Sequence, residues 1–212
     1  MSHNTQIAIA VRKHPVQARS TVTVEAIYEA TIQVLLITGT EGLTTTRVAE
    51  RAGVSVGTLY QYFPNKQSLL YAILEGHMND IVKAVERACE YAHGKILSEM
   101  VADAVEAFVD AKMKRPDIST ALYCIAAEID GPIIVKKAGS RSRRAMEAML
   151  KTAPDAKLHN LNFVIQMMFG AMAGATRSVL ESGATATRVQ NLRTHLVMLC
   201  QSYTAAAAMQ MS

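Results

Sequence analysis

Tryptophan is absent from this 212-residue chain, and aromatic residues make up only 5% of it. Strand-forming aromatics are therefore scarce, whereas the plentiful Ala, Leu, Met, Glu and Gln favour helix. Charge is sparse too, at 19% of residues against 50% hydrophobic, which excludes a disordered polyelectrolyte. Cysteine is limited to Cys89, Cys124 and Cys200. No two of these have ligand or redox spacing, and an odd number in apolar stretches reads as buried free thiols in a reducing cytoplasm. The six histidines (His3, His14, His77, His93, His159 and His195) never fall three or four residues from one another, and only His93 stands four residues from a cysteine, Cys89; one such pair supplies too few ligands, so no helical metal site is indicated. No glycine-rich phosphate loop and no serine in a nucleophile-elbow context occurs. No enzyme, metal or cofactor is expected. The apolar run Ile7 to Val11 is too short for a signal sequence, and no apolar stretch approaches the ~20 residues that span a bilayer. A soluble cytoplasmic protein without a membrane partner is expected.

What is present is a net charge of +4, unevenly spread. Met1 to Val24 contains Arg12, Lys13 and Arg19 and no acid. It reads either as a solvated tail or as a basic arm lying along DNA. Beyond it, helical periodicity dominates. A first helix is predicted over Val22 to Thr38, punctuated by Gly39 and Gly42. A second runs from Thr45 to Ala52, with Thr45 as its cap, Gly53 in the left-handed C′ position and apolar Val54 after it. Ser55 caps a third over Val56 to Phe63, stopped by Pro64. Asn65 caps a fourth that reaches Gly94. Further helices cover Lys95 to Arg115, Pro116 to about Asp130, and Ile133 to Lys151. Two long apolar ones follow, with stripes from Leu158 to Val179 and from Val189 to Ala206. The expectation is an all-α chain: a flexible basic arm (1–18), a helix-turn-helix domain (19–66) and a larger helical regulatory and dimerisation domain (67–212).

The informative stretch is Leu43 to Leu70, LTTTRVAERAGVSVGTLYQYFPNKQSLL. Two helices joined by a four-residue turn containing Gly53 form a helix-turn-helix, with Val48, Ala49 and Ala52 facing Leu59. The second helix of such a unit enters the major groove. Its outward residues, Val56, Gly57, Thr58, Gln61 and Tyr62, are small or polar. Gly57 lets the backbone approach bases, and Gln61 can read adenine edges. Tyr60 and Tyr62 bring hydroxyls towards phosphates, and Lys66 stands at a helix N-terminus where phosphate is attracted.

Over residues 19 to 72 the sequence resembles the TetR family of bacterial regulators. Ile27, Ala30, GTEGLTT (Gly39 to Thr45), VAERAGVS, GTLYQYFPNK and Leu69-Leu70 carry the resemblance. It implies nine or more helices, three of them in the DNA-binding domain, a dimer built from the last two long helices, and an effector cavity in the C-terminal domain. It places Thr45, Thr46, Arg47, Ser55, Val56, Gly57, Thr58, Tyr60, Gln61, Tyr62 and Lys66 on DNA-contact positions. The aromatic often found near the end of the family's first helix is replaced here by Leu35 or Leu36. Repression relieved by a small molecule is the family's usual mode.

Pattern alone speaks for the rest. The final two helices are apolar over more than one face, which implies a partner copy. Leu161, Ile165, Met168, Met172, Leu192, Leu196, Leu199 and Tyr203 form the expected interface. Two recognition helices ~34–36 Å apart would then read a palindromic operator on double-stranded DNA. The twelve methionines suit adaptable core filling. An effector pocket, if present, is expected among Met100, Phe108, Tyr123, Met168 and Phe169, and would take an apolar ligand. The basic helix Ile133 to Lys151 reads first as a solvated face, with secondary DNA contact or an anionic effector ranked below. The rival to a regulator is a dimeric helical interaction module with only non-specific DNA binding.

Overall fold

The computed structural model describes residues 18–126, 129 and 131–209. Among them are nine α-helices and no strand: α1 Ala18–Gly42, α2 Thr45–Ala52, α3 Val56–Tyr62, α4 Lys66–Tyr91, α5 Leu97–Met113, α6 Pro116–Ala126, α7 Gly131–Leu150, α8 Leu161–Glu181 and α9 Ala186–Met209. All nine expected helices are found. The proposed N-terminal arm, with Arg12 and Lys13, lies outside the described residues, as does the Cys124 side chain.

The chain divides into two compact units. One comprises residues up to Gly76 with Ala121–Pro132; the other comprises His77–Thr120 with Ile133–Ser212. The boundary expected at 66/67 therefore falls inside α4. The reason is packing: Leu69, Leu70, Ala72, Ile73 and Leu74 from the first turns of α4 are all buried. They complete a core begun by Ile27, Ala30, Val34 and Leu35 of α1 and by Leu59. Phe63 is fully buried beside the Tyr28 ring, at 5.7 Å between centroids. Leu35 is buried and Leu36 is 43% exposed, so Leu35 fills the inward position near the end of α1. α1 breaks at Gly39, whose φ of 67° is strained for any residue with a Cβ.

In the second unit α5 packs against α8 and α9, and α8 against α9. Ile81, Val85 and Cys89 of α4 join Met100, Val105 and Val109 of α5, Met146 and Met149 of α7, and the inner faces of α8 and α9 in one apolar core. Burial in that core pushes the Cys89 thiol up to about 12 and the Cys200 thiol to about 11, so both are unreactive thiols. Polar ties hold the rim. Arg141 of α7 forms a fork on Glu86 of α4, at 3.1 and 2.7 Å, and donates to Asn79 at 3.0 Å. The expected solvated face of α7 is thus partly a fastening. Ile96, at the N-cap of α5, gives no side-chain cap. The segment after α7 supplies one instead: Asp155 accepts from the Leu97 N–H at 2.8 Å, and Thr152 Oγ1 accepts from the Gly94 N–H at 2.9 Å.

Two helical stretches, Ser20–Gly42 and Leu161–Glu181, are long and apolar enough to cross a membrane by length and composition. This corrects the expectation that no stretch approaches that length. Unbroken apolar runs were the signal sought there, whereas scattered polar residues leave the average apolar. Each of the two also supplies buried residues to a core: Ile27 and Val34 from one, Val164, Ile165 and Met168 from the other.

Candidate nucleic-acid interface

The site is built from two short helices whose starts are fixed by side chains. α2 begins after Thr44, which is extended (φ −127°, ψ 150°) and accepts the Arg47 N–H on its hydroxyl at 3.3 Å. Thr44, not the expected Thr45, is the cap. Three consecutive threonines offer three possible caps, and burial chooses among them. With Thr44 as cap, Leu43 precedes it and Val48 stands at the fourth helical position, and both are buried, an arrangement that staples the chain entry to the first turn. The displaced Thr45 instead places its hydroxyl 3.0 Å from that of Tyr60, joining α2 to α3.

The turn is as expected. Gly53 is left-handed (φ 67°, ψ 28°), and its N–H meets the Ala49 and Glu50 carbonyls. Val54 N–H follows onto Ala49 O at 3.0 Å. Ser55 caps α3, accepting from Thr58 N–H at 3.0 Å, and the Ser55 and Thr58 hydroxyls pair at 2.8 Å. Asn65 caps α4 through Ser68 N–H at 2.7 Å, while Ser68 Oγ accepts from Asn65 N–H at 3.2 Å.

These caps decide which residues face outward. Val48, Ala49 and Leu59 are buried, as expected, with Ala52 half-buried. Thr46, Arg47, Ser55, Gly57, Tyr60 and Gln61 are exposed; Thr45, Val56, Thr58, Tyr62 and Lys66 are half-buried. Gly57 is the telling position. Its backbone does not require glycine, and an added Cβ would meet only Ser55 Oγ, at 3.7 Å. Nothing within the protein explains a missing side chain there. What it leaves is a bare patch of helix, with the exposed residues Tyr60 and Gln61 one turn further along. Two of the expected cations are engaged within the unit: Arg47 Nη1 donates to Gly42 O at 2.8 Å, and the Lys66 ammonium donates to the Thr40 carbonyl. Lys66 thus also ties the start of α4 to the end of α1. Gln33 of α1 accepts from Arg51 Nε at 2.7 Å, a tie that sequence spacing could not reveal.

Most of the residues expected at a dimer interface or an effector pocket are buried. Of the eight expected interface residues, Ile165, Met168, Met172, Leu192 and Leu196 are buried in the chain's own core. Leu161 and Tyr203 are half-buried against it, and only Leu199 is exposed, at 52%. Their three-and-four spacing marks the inner stripe of each helix. The outward apolar residues are Phe163 and Met167 of α8 and Met198, Leu199 and Met209 of α9. Gly170 and Gly174 are also exposed, with open space where a Cβ would stand. Of the expected effector-pocket residues, Met100, Phe108 and Met168 are packed into the apolar core, and Phe169 is half-buried against it. Tyr123 belongs to the other compact unit.

Comparison with known proteins agrees with this architecture. Residues 27–73 match the family model described as bacterial regulatory proteins, tetR family, and residues 97–203 match one described as tetracyclin repressor-like, C-terminal domain. The class C tetracycline repressor protein of Escherichia coli is 47% identical over 51 residues, 24% of this chain and 23% of that one. The HTH-type transcriptional repressor KstR of Mycolicibacterium smegmatis is 42% identical over 62 residues, 29% of this chain and 30% of that one. The matched stretches thus span less than a third of those relatives. Among solved structures, a regulator of the same family from Mesorhizobium loti superposes with a TM-score of 0.72 at 14% identity, covering 90% of this chain and 98% of that one. That likeness speaks for the fold.

Proposed function

Because the chain belongs to the TetR family of bacterial regulatory proteins, we propose that it is a sequence-specific, DNA-binding transcriptional regulator of the cytoplasm, a repressor released from a palindromic operator by a small molecule. The observation that carries the reading is the outward face of α3. Gly57 is bare without an internal reason, and the exposed Tyr60 and Gln61 follow it by one turn. A backbone that approaches base edges needs such a gap, and Gln61 can hydrogen-bond adenine there. Thr46, Arg47, Ser55, Thr58, Tyr62 and Lys66 serve the phosphates or flanking bases. Regulation, not catalysis, is the role of the rest.

A homodimer supplies the second recognition helix. Its interface in this proposal is the outer face of α8 and α9: Phe163, Met167, Gly170, Gly174, Met198 and Leu199. An apolar effector would have to open the core around Met100, Phe108 and Met168. Such an effector changes operator affinity only if it binds the DNA-competent and DNA-free packings unequally.

Selecting bound duplexes from a random pool, then measuring affinity for the consensus and for bulk DNA, tests the proposal. A specific site preferred by ~10³-fold or more is expected. Gln61→Ala should relax preference at particular bases, whereas Tyr60→Ala should weaken all sequences alike. Equal affinity for all duplexes would leave the alternative, a dimeric interaction module that binds DNA non-specifically.

A further inference from the structure

α7 and α8 enclose a cleft of about 630 Å³. α7 contributes Ser140, Arg143, Arg144 and Glu147, and α8 contributes Asn162 and Gln166 beside the buried Ile165. The charges are unbalanced. Glu147 is held by Lys151 at 2.7 Å, whereas among the described residues neither guanidinium meets a carboxylate. Ser140 positions both instead. Its hydroxyl accepts from Arg143 Nη2 at 3.1 Å and donates to the Lys136 carbonyl at 2.8 Å; its own carbonyl accepts from Arg144 Nε at 3.3 Å. A guanidinium carries five N–H donors in a rigid fork that matches carboxylate and phosphate. Most of those donors remain unspent on both arginines. Asn162 and Gln166, both exposed, bring amide donors to the same cleft from α8.

We infer that the α7–α8 cleft binds a small organic oxyanion, a carboxylate or phosphate headgroup gripped by Arg143 and Arg144. The Asn162 and Gln166 amides receive the body of the ligand. This site is separate from the apolar core around Met100 and Met168. It is also separate from the outer apolar face of α8, because Phe163 and Met167 follow Asn162 and Gln166 by one residue each, about 100° round the helix. The inference does not depend on operator binding.

The test is calorimetric titration of the full chain, free of DNA, with inorganic phosphate and then acetate, with chloride holding ionic strength constant. Saturable binding is expected. The pair R143Q/R144Q should weaken it by about tenfold or more, as removal of charge-assisted, forked hydrogen bonds requires. Gln166→Glu should do the same while leaving both arginines in place, and a circular dichroism melt checks that each variant folds. Lys136→Gln, on the same helix but outside the cleft, should leave the affinity unchanged. Heats that never saturate, or that fall equally in Lys136→Gln, would overturn the inference. So would loss of duplex binding in the cleft variants with no phosphate binding by the unaltered protein, since the arginines would then serve DNA. Saturable phosphate binding without any preferred duplex would sink the regulator reading and leave the cleft standing.

Discussion

At the scale of single residues, two side chains make separable predictions. Gly57→Ala meets no internal obstacle, and alanine favours helix over glycine, so the fold should be unharmed or stabilised by about 0.5 kcal/mol. Operator affinity should nonetheless fall about tenfold, if a methyl group stands where a base edge must come. Melting curves and fluorescence anisotropy on the same variant separate the two effects; unchanged affinity would remove Gly57 from the contact surface. His77 concerns stability. Its ring lies 3.1 Å from Ser119 Oγ, and burial, then the Lys112 charge, lower its pKa from 6.5 to about 4, against a smaller opposing pull from Asp80. The unfolded chain binds this proton more readily than the folded one. The contribution is therefore fully present above pH 6.5 and lost as pH falls towards 4, on the order of 3 kcal/mol in all. Urea unfolding at a series of pH values should show a flatter dependence across that window for His77→Gln, and identical slopes would refute the assignment. The Gly57 role was legible in sequence, although only its open surroundings show that the fold itself does not require glycine there. The His77 role was not, because the Ser119 and Lys112 that face it lie on other helices.

Among the helices, the sequence announced its elements through local chemistry and misled where that chemistry was degenerate. Gly53, Ser55 and Asn65 could be assigned because each has one conformation or one partner to satisfy nearby. Thr44 and Thr45 could not be told apart by their hydroxyls. The distinguishing signal was present all the same, in the apolar pair Leu43 and Val48, which brackets a cap at Thr44 and no other. Thr44→Ala should cost about 1 kcal/mol in urea unfolding, and Thr45→Ala clearly less, since it loses only the bond to Tyr60. Equal costs would argue against Thr44 as the cap. The cap of α5 was beyond sequence reading, because Asp155 is 58 residues from Leu97. Asp155→Ala should destabilise the second unit by about 1 kcal/mol, read as a lower melting temperature.

For the whole molecule, periodicity located an apolar stripe on α8 and α9 but could not say what the stripe faces. Each of these helices is apolar on two sides, and the more regular side, from Ile165 to Met172 and from Leu192 to Leu196, packs inside the chain. Leu199→Glu should therefore shift sedimentation from dimer to monomer with little loss of helicity, and operator binding should fall with it. Ile165→Glu should unfold the chain instead, as a charge placed in an apolar core does. A dimer unaffected by Leu199→Glu would move the interface elsewhere. The division of α4 has its own practical outcome. The first unit draws Leu69, Leu70, Ile73 and Leu74 from the same helix that supplies Ile81 and Val85 to the second. A hybrid made by grafting this reading head onto a foreign sensor should be spliced after Gly76 and not at Lys66, since the earlier seam would deprive the graft of half its own keel.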